Sequence, residues 1–233
     1  MDLTNQNKIL KELKERSNNT VILAFSGGKD SVVCFDLLKK AKFKIYPVFH
    51  YHYPDLSFVN KTITMYEKHF GIKVKQLPHA VLIDMIRRAQ FLPYVEAVSC
   101  VALNLPETSM DDMVEDYAVA QGLPESTYIV VGTKRSDSIN RRMFIKTAFM
   151  AKKCYLINDF GKNQPFDYMR ENKIPLSDDY KIFGRSFDGL KYHYLMGIKR
   201  FYPDDYAKII KTFPLCQGED FRYALYKKYY RDC

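Results

Sequence analysis

Ala24-Phe25-Ser26-Gly27-Gly28-Lys29-Asp30-Ser31 stands between two segments of different periodicity. Before it, Thr20-Val21-Ile22-Leu23-Ala24-Phe25 is the β-branched, apolar run of a strand buried on both faces. After it, Val33, Cys34, Leu37, Leu38 and Ala41 recur at helical spacing, with Asp30 or Ser31 expected as the helix N-cap. The order is strand, glycine turn, helix.

Such a turn suits a polyanion, because the first amides of a helix lack intrahelical partners and carry the positive end of its dipole. Two adjacent glycines let the backbone approach an oxyanion. Lys29 adds a cation, Ser26 and Ser31 add hydroxyl donors, and Asp30 adds a carboxylate able to hold Mg²⁺ or position a nucleophile. The stretch fits neither GxxxxGK[ST] nor GxGxxG.

Working outward, residues 5–16 form a charged helix with Ile9, Leu10 and Leu13 as its narrow apolar stripe. A second strand, residues 44–50, leads into the cluster Tyr51-His52-Tyr53-Pro54-Asp55, so His50 and His52 are candidates for a nucleoside wall. A helix over 57–70, stopped by Gly71, and an alternating strand over 72–77 complete a β-α-β-α-β pattern, the mark of a right-handed parallel sheet. Residues 81–91 read as helical, residues 99–103 as a helix end or loop, and Ser109-Met110-Asp111-Asp112 as the capping box of another helix.

The next buried strand, Thr127-Tyr128-Ile129-Val130-Val131, opens into Gly132-Thr133-Lys134-Arg135-Ser136-Asp137-Ser138-Ile139-Asn140-Arg141-Arg142. Glycine ends the strand, four basic residues follow, and Ser138 is placed to cap a helix. In an open parallel sheet this loop belongs at the same carboxyl edge as the first. Farther on, residues 154–157 are strand-like, and the tail from Leu190 is helical, with Tyr194, Leu195, Ile198, Phe201, Ile209, Phe221 and Leu225 on its apolar stripes.

Ser26-Gly27-Gly28-Lys29-Asp30-Ser31 matches the SGGxDS signature of the PP-loop superfamily, ATP pyrophosphatases that cleave ATP between the α and β phosphates. The second loop resembles the G-x-[KR]-x-x-x-S-x-x-R element of one branch, that of the phosphoadenosine phosphosulfate (PAPS) reductases, the sulfate adenylyltransferase small subunit and DNA-phosphorothioation proteins. The resemblance spans about residues 20–189 and loosens after Gly161. It implies an α/β fold, an open and mainly parallel sheet with helices on both faces (adenine nucleotide α-hydrolase-like), over residues 1–189. Residues 190–233 would be a helical extension without independent status. It further implies nucleotide binding by Ser26, Gly27, Gly28, Lys29, Asp30 and Ser31 and by Gly132, Lys134, Arg135, Ser138 and Arg141, with Mg²⁺ on Asp30.

Two departures bear on the reaction. Where the branch often has cluster-binding cysteines, this chain has Ser186-Phe187-Asp188-Gly189-Leu190, so no iron-sulfur cluster is expected. The reductases attack sulfur with a cysteine in a Glu-Cys-Gly-Leu-His tail, whereas here the chain ends Tyr230-Arg231-Asp232-Cys233.

Composition sets the outer bounds. The chain has 233 residues and a formal charge of +9, with 47% hydrophobic residues, which favours a folded protein with an anionic partner and leaves nucleic acid open. Five cysteines without a CxxC, and no apolar run of signal or membrane-span length, point to reduced thiols in the cytoplasm.

Three functions remain. The first is an enzyme that uses Mg-ATP, with Lys29 and Asp30 catalytic, and transfers AMP to an unidentified acceptor with release of pyrophosphate. The second is an adenylyl-sulfate or phosphoadenylyl-sulfate reductase with Cys233 as nucleophile and thioredoxin as reductant. The third is a nucleotide- or nucleic-acid-binding regulator without turnover. A tRNA-thiolating enzyme is weakened by the absence of cysteine pairs.

Overall fold

A computed structural model of the chain describes residues 1–230. Six strands follow in chain order: β1 (Thr20–Ala24), β2 (Lys44–Tyr51), β3 (Lys75–Pro78), β4 (Tyr128–Val130), β5 (Phe149–Met150) and β6 (Lys153–Cys154). They form one sheet in the order β3-β2-β1-β4-β6-β5. β1 pairs in parallel with β2 on one side, Ala24 opposite Val48, and with β4 on the other, Leu23 opposite Val130. β6 continues in parallel beside β4, and β5 closes the edge antiparallel to β6.

The chain leaves β1 toward β2 and returns later on the opposite side as β4. The gap between the carboxyl ends of β1 and β4 is therefore the topological switch point, where open α/β sheets bind ligands. This is the α/β architecture expected from the sequence.

The helices are α1 (Thr4–Ser17), α2 (Lys29–Lys40), α3 (Ser57–Phe70), α4 (Ala80–Arg87), α5 (Tyr94–Ala102), α6 (Met110–Ala120), α7 (Ile139–Phe144), α8 (Gln164–Glu171), α9 (Asp179–Phe183), α10 (Tyr192–Phe201), α11 (Pro203–Thr212) and α12 (Glu219–Tyr230). Among the described residues no helix is long and apolar enough to cross a membrane. Contacts divide the chain into two compact units, one of Met1–His50, Thr62–Leu77 and Asp111–Ser177, the other of Tyr51–Lys61, Pro78–Met110 and Asp178–Cys233.

The first unit holds most of the sheet. Alternation along β1 sends Ile22 to one face, where it packs with Val48 and with Val114 and Tyr117 of α6. Past the strand end, Phe25 meets Phe35 of α2 and Tyr66 of α3 edge-on, at 5.5 and 5.6 Å between ring centroids. Phe35 stacks on Phe70 at 4.2 Å, and the buried Tyr66 hydroxyl donates to the Pro175 carbonyl. α2 is thereby fixed behind the loop that precedes it. At its far end the Tyr168 hydroxyl of α8 donates to Asp36 at 2.6 Å, inside the ion pair between Asp36 and Lys40.

In the second unit an aromatic cluster forms around Phe58, which packs against Phe183, Phe187 and Tyr202. The buried Asp205 carboxylate of α11 accepts from both the amide and the hydroxyl of Ser57, at 2.8 and 2.7 Å, and so caps the start of α3.

Several local expectations are corrected. Neither Asp30 nor Ser31 caps α2; the cap is Gly28, in extended conformation, because Ser31 turns its hydroxyl back to the Gly28 carbonyl. Residues 94–102 form the helix α5, although the sequence marked only residues 99–103 as helix end or loop. The strand expected over 154–157 is limited to β6, after which the chain turns. Phe201, Phe221 and Leu225, placed on apolar stripes, are exposed at 50%, 70% and 39%.

Asp179, at the start of α9, is buried, and burial pushes its carboxyl up to about 6, with nearby Asp178 adding to the rise and the Phe187 amide opposing it. The folded protein thus holds this proton more tightly than the unfolded chain. The resulting stability is complete below the ordinary value of 3.8 and is lost as pH rises through about 6. Asp179→Asn, which cannot ionise, is expected in denaturant unfolding to match the wild type in stability near pH 4 and to exceed it at pH 7, by at most about 3 kcal/mol. Parallel pH profiles for the two proteins would contradict this.

Candidate functional site

The loop after β1 is shaped by its own hydroxyls. Gly27 adopts a φ of 68°, a conformation that favours glycine, and so turns the chain between strand and helix. Ser31 Oγ donates to the Gly28 carbonyl at 2.9 Å and accepts from the Ser26 amide at 3.1 Å. With the Ser31 proton so used, Ser26 Oγ donates to Ser31 Oγ at 3.1 Å and accepts from the Gly28 amide at 3.3 Å. The two serines close the loop on itself around the first turn of α2.

The second loop sits directly on the first. A Cβ at Gly132 would lie 2.8 Å from the Ser31 nitrogen and 2.9 Å from the Asp30 carbonyl carbon, both backbone atoms unable to yield. Glycine is required there by close approach. The Arg135 amide donates to the Asn158 carbonyl and the Ser136 hydroxyl to the Phe160 carbonyl, tying the loop to the turns after β6. Ser138 then caps α7 by accepting from the Arg141 amide at 3.1 Å, as its position predicted.

Between the loops runs a row of alternating charges. Lys29 Nζ lies 2.8 Å from Asp30 Oδ2, and Lys134 Nζ lies 2.6 Å from Asp30 Oδ1 and 2.8 Å from Asp137 Oδ1. Arg141 Nη1 lies 2.9 Å from Asp137 Oδ2. Lys134 is completely buried at 0% exposure, whereas the side chains of Lys29 and Arg141, at the two ends of the row, are 18% and 52% exposed. Burial pushes the Asp137 carboxyl up, but hydrogen bonds from the Lys134 ammonium and amide and from Arg141 outweigh it and hold the group below its ordinary value.

The structure therefore brings together Ser26, Gly27, Gly28, Lys29, Asp30, Ser31, Gly132 and Lys134, with Arg141 reached through Asp137. Arg135 is exposed on the same loop. His50, half-buried, is the residue before the last of β2, two past the Val48 that pairs with Ala24. Tyr51 to Asp55 belong to the second unit, where the His52 ring stacks on His79 at 4.1 Å and the Tyr53 hydroxyl donates to the Lys208 carbonyl. Cys233 lies outside the described residues.

Two participants escaped the sequence reading. Asp137 was visible only as the acid three residues after Lys134 and four before Arg141, a spacing that suits ion pairing along one turn. Phe166 of α8, whose ring centroid lies 5.4 Å from Lys29 Nζ, carried no local signal at all.

The chemistry open to these groups is that of charge neutralisation and positioning. A carboxylate offers about four lone-pair sites, so Asp30 retains acceptor capacity beside its two ammonium partners. No group of three or more His, Cys, Asp or Glu side chains able to hold a metal ion exists among the described residues. A magnesium ion here would take one carboxylate, phosphate oxygens and water, the usual pattern for a nucleotide-borne ion. Burial pushes the Cys34 thiol well above its ordinary value and those of Cys154 and Cys216 up to about 12.

The chain matches no family model and no curated protein. Among solved structures it resembles the NH3-dependent NAD synthetase from Campylobacter jejuni subsp. jejuni NCTC 11168, in complex with the nitrate ion, at 14% sequence identity and a TM-score of 0.50 over 95% of this chain and 96% of that one. The likeness is one of fold.

Gly132→Ala tests the contact between the loops. It is expected to lower stability by about 1–3 kcal/mol, the usual cost of forcing a methyl group into a packed position. An unchanged thermal midpoint would mean that the loops do not meet as described.

Proposed function

We propose that the chain is a PP-loop enzyme that binds ATP with Mg²⁺ across residues 26–31 and 132–141 and cleaves it between the α and β phosphates. An acceptor oxygen attacks the α phosphorus as the bond to the bridging oxygen breaks, so AMP passes to the acceptor and pyrophosphate leaves. The observation that carries this reading is the meeting of the two loops at the switch point between β1 and β4, with Gly132 packed on Asp30 and Ser31. The same fold in an NAD synthetase supports nucleotide chemistry on this scaffold, and a fold alone does not choose the acceptor.

The residues then take these roles. The first amides of α2 receive phosphate oxygens at the positive end of the helix dipole. Lys29 turns from Asp30 to the phosphates and neutralises charge that grows as pyrophosphate departs. Asp30 would hold a magnesium ion once Lys29 has turned to the phosphates, and the ion would offset charge on them. Arg135 and Arg141 supply cations at the outer side of the loop, and His50 bounds the nucleoside side at the end of β2. Cys233 takes no part in this reading.

Calorimetric titration with Mg-ATP, coupled to product analysis, tests the proposal. The wild type is expected to bind saturably and to yield AMP and pyrophosphate, while Lys29→Ala weakens binding about tenfold or more, equivalent to roughly 1.4 kcal/mol. Absence of saturable binding, or ADP and phosphate as products, would overturn it. Cys233→Ser is expected to leave turnover unchanged.

A further inference from the structure

Lys134 occupies the basic position of the second motif, where resemblance assigns it to phosphate oxygens, yet its surroundings give it other work. Its ammonium has no exposed surface and sits between two carboxylates, at 2.6 Å from Asp30 and 2.8 Å from Asp137. An ammonium has three donors, and two are directed at these oxygens. Asp137 also accepts from the Lys134 backbone amide at 3.0 Å, so one carboxylate holds both ends of the same residue. That double grip fixes the lysine side chain in one conformation.

The ends of the charged row differ in kind. Lys29 and Arg141 each meet one carboxylate of the row and keep part of their surface exposed. A phosphate can draw Lys29 away from Asp30 while Asp30 remains neutralised by Lys134. Drawing Lys134 away as well would leave Asp30 without either ammonium and Asp137 with Arg141 alone, taking from between two partly buried carboxylates the cation that neutralises both, a change that low dielectric penalises.

We propose that Lys134 and Asp137 are positioning residues that act through Asp30 and do not contact the nucleotide: the buried ammonium holds the Asp30 carboxylate at the first turn of α2, and Asp137 holds the ammonium. This rests on the nucleotide reading of the Ser26–Ser31 loop. It moves Lys134 from the ligand-binding set to the scaffold behind it and adds Asp137 as a residue on which nucleotide affinity depends.

The two assignments of Lys134 differ in the sign of one substitution. If Lys134 met phosphate, Asp137 would compete for its charge, and Asp137→Asn would tighten binding. If Lys134 positions Asp30, Asp137→Asn weakens binding. The comparison is best made in an Arg141→Ala background, so that a guanidinium released from Asp137 does not enter it. Calorimetry with Mg-ATP is expected to give about a tenfold rise in Kd for Asp137→Asn, and less than about a twofold change when Asp30→Asn is already present, as for residues acting along one path.

Tighter binding in Asp137→Asn would overturn the proposal. So would an equal loss with and without Asp30→Asn, the mark of a merely structural role. Should Asp30→Asn abolish saturable binding, the sign of the Asp137→Asn effect decides. Failure of the wild type to bind Mg-ATP would instead bring down the nucleotide reading and this inference with it, a result distinct from binding that Asp137→Asn improves.

Discussion

An ammonium shut off from water has to be neutralised where it stands, and Lys134 meets that requirement with one carboxylate from each of two loops. Asp30 comes from the turn after β1 and Asp137 from the turn after β4, strands that are neighbours in space and about a hundred residues apart in sequence. The charge at Lys134 therefore does what a covalent link would do at that edge of the sheet. Close approach at Gly132 makes the contact possible, since any side chain there would strike the backbone of α2. The two loops form one structure because a cation and a glycine both demand it.

From that constraint the chemistry takes its direction. The interior of the row is compensated, and positive character remains at Lys29 and Arg141, where an anionic ligand can use it. The serines with hydroxyls suited to phosphate are engaged in shaping the turn. Burial raises the Cys34, Cys154 and Cys216 thiols above their ordinary values. The proposed reading uses that arrangement to neutralise and orient a polyphosphate.

The parts legible in the sequence are those set by local pattern. The β-branched run at Thr20–Ala24, the glycine turn and the helical spacing after it gave the order of β1 and α2, and the helical segment stopped by Gly71 gave the extent of α3. Ser138 was recognisable as a cap because capping is a contact three residues long. Less legible were features decided at a distance. The cap of α2 went to Gly28 because Ser31 bonds inside the loop. The helix α5 was read only at its end, and although Tyr94, Val95, Val98 and Val101 stand at helical spacing, all four are exposed. Asp137 was overlooked because its importance comes from the burial of Lys134, which no spacing reveals.

The central claim is that both loops grip one nucleotide, and a crystal structure with Mg²⁺ and a non-hydrolysable ATP analogue tests it most directly. The account predicts phosphate density at the Ser26–Ser31 loop and the start of α2, Lys29 moved from Asp30 to a phosphate oxygen, and Lys134 still between Asp30 and Asp137. A nucleotide bound elsewhere, or one that leaves Lys29 on Asp30 and the loop untouched, would contradict it.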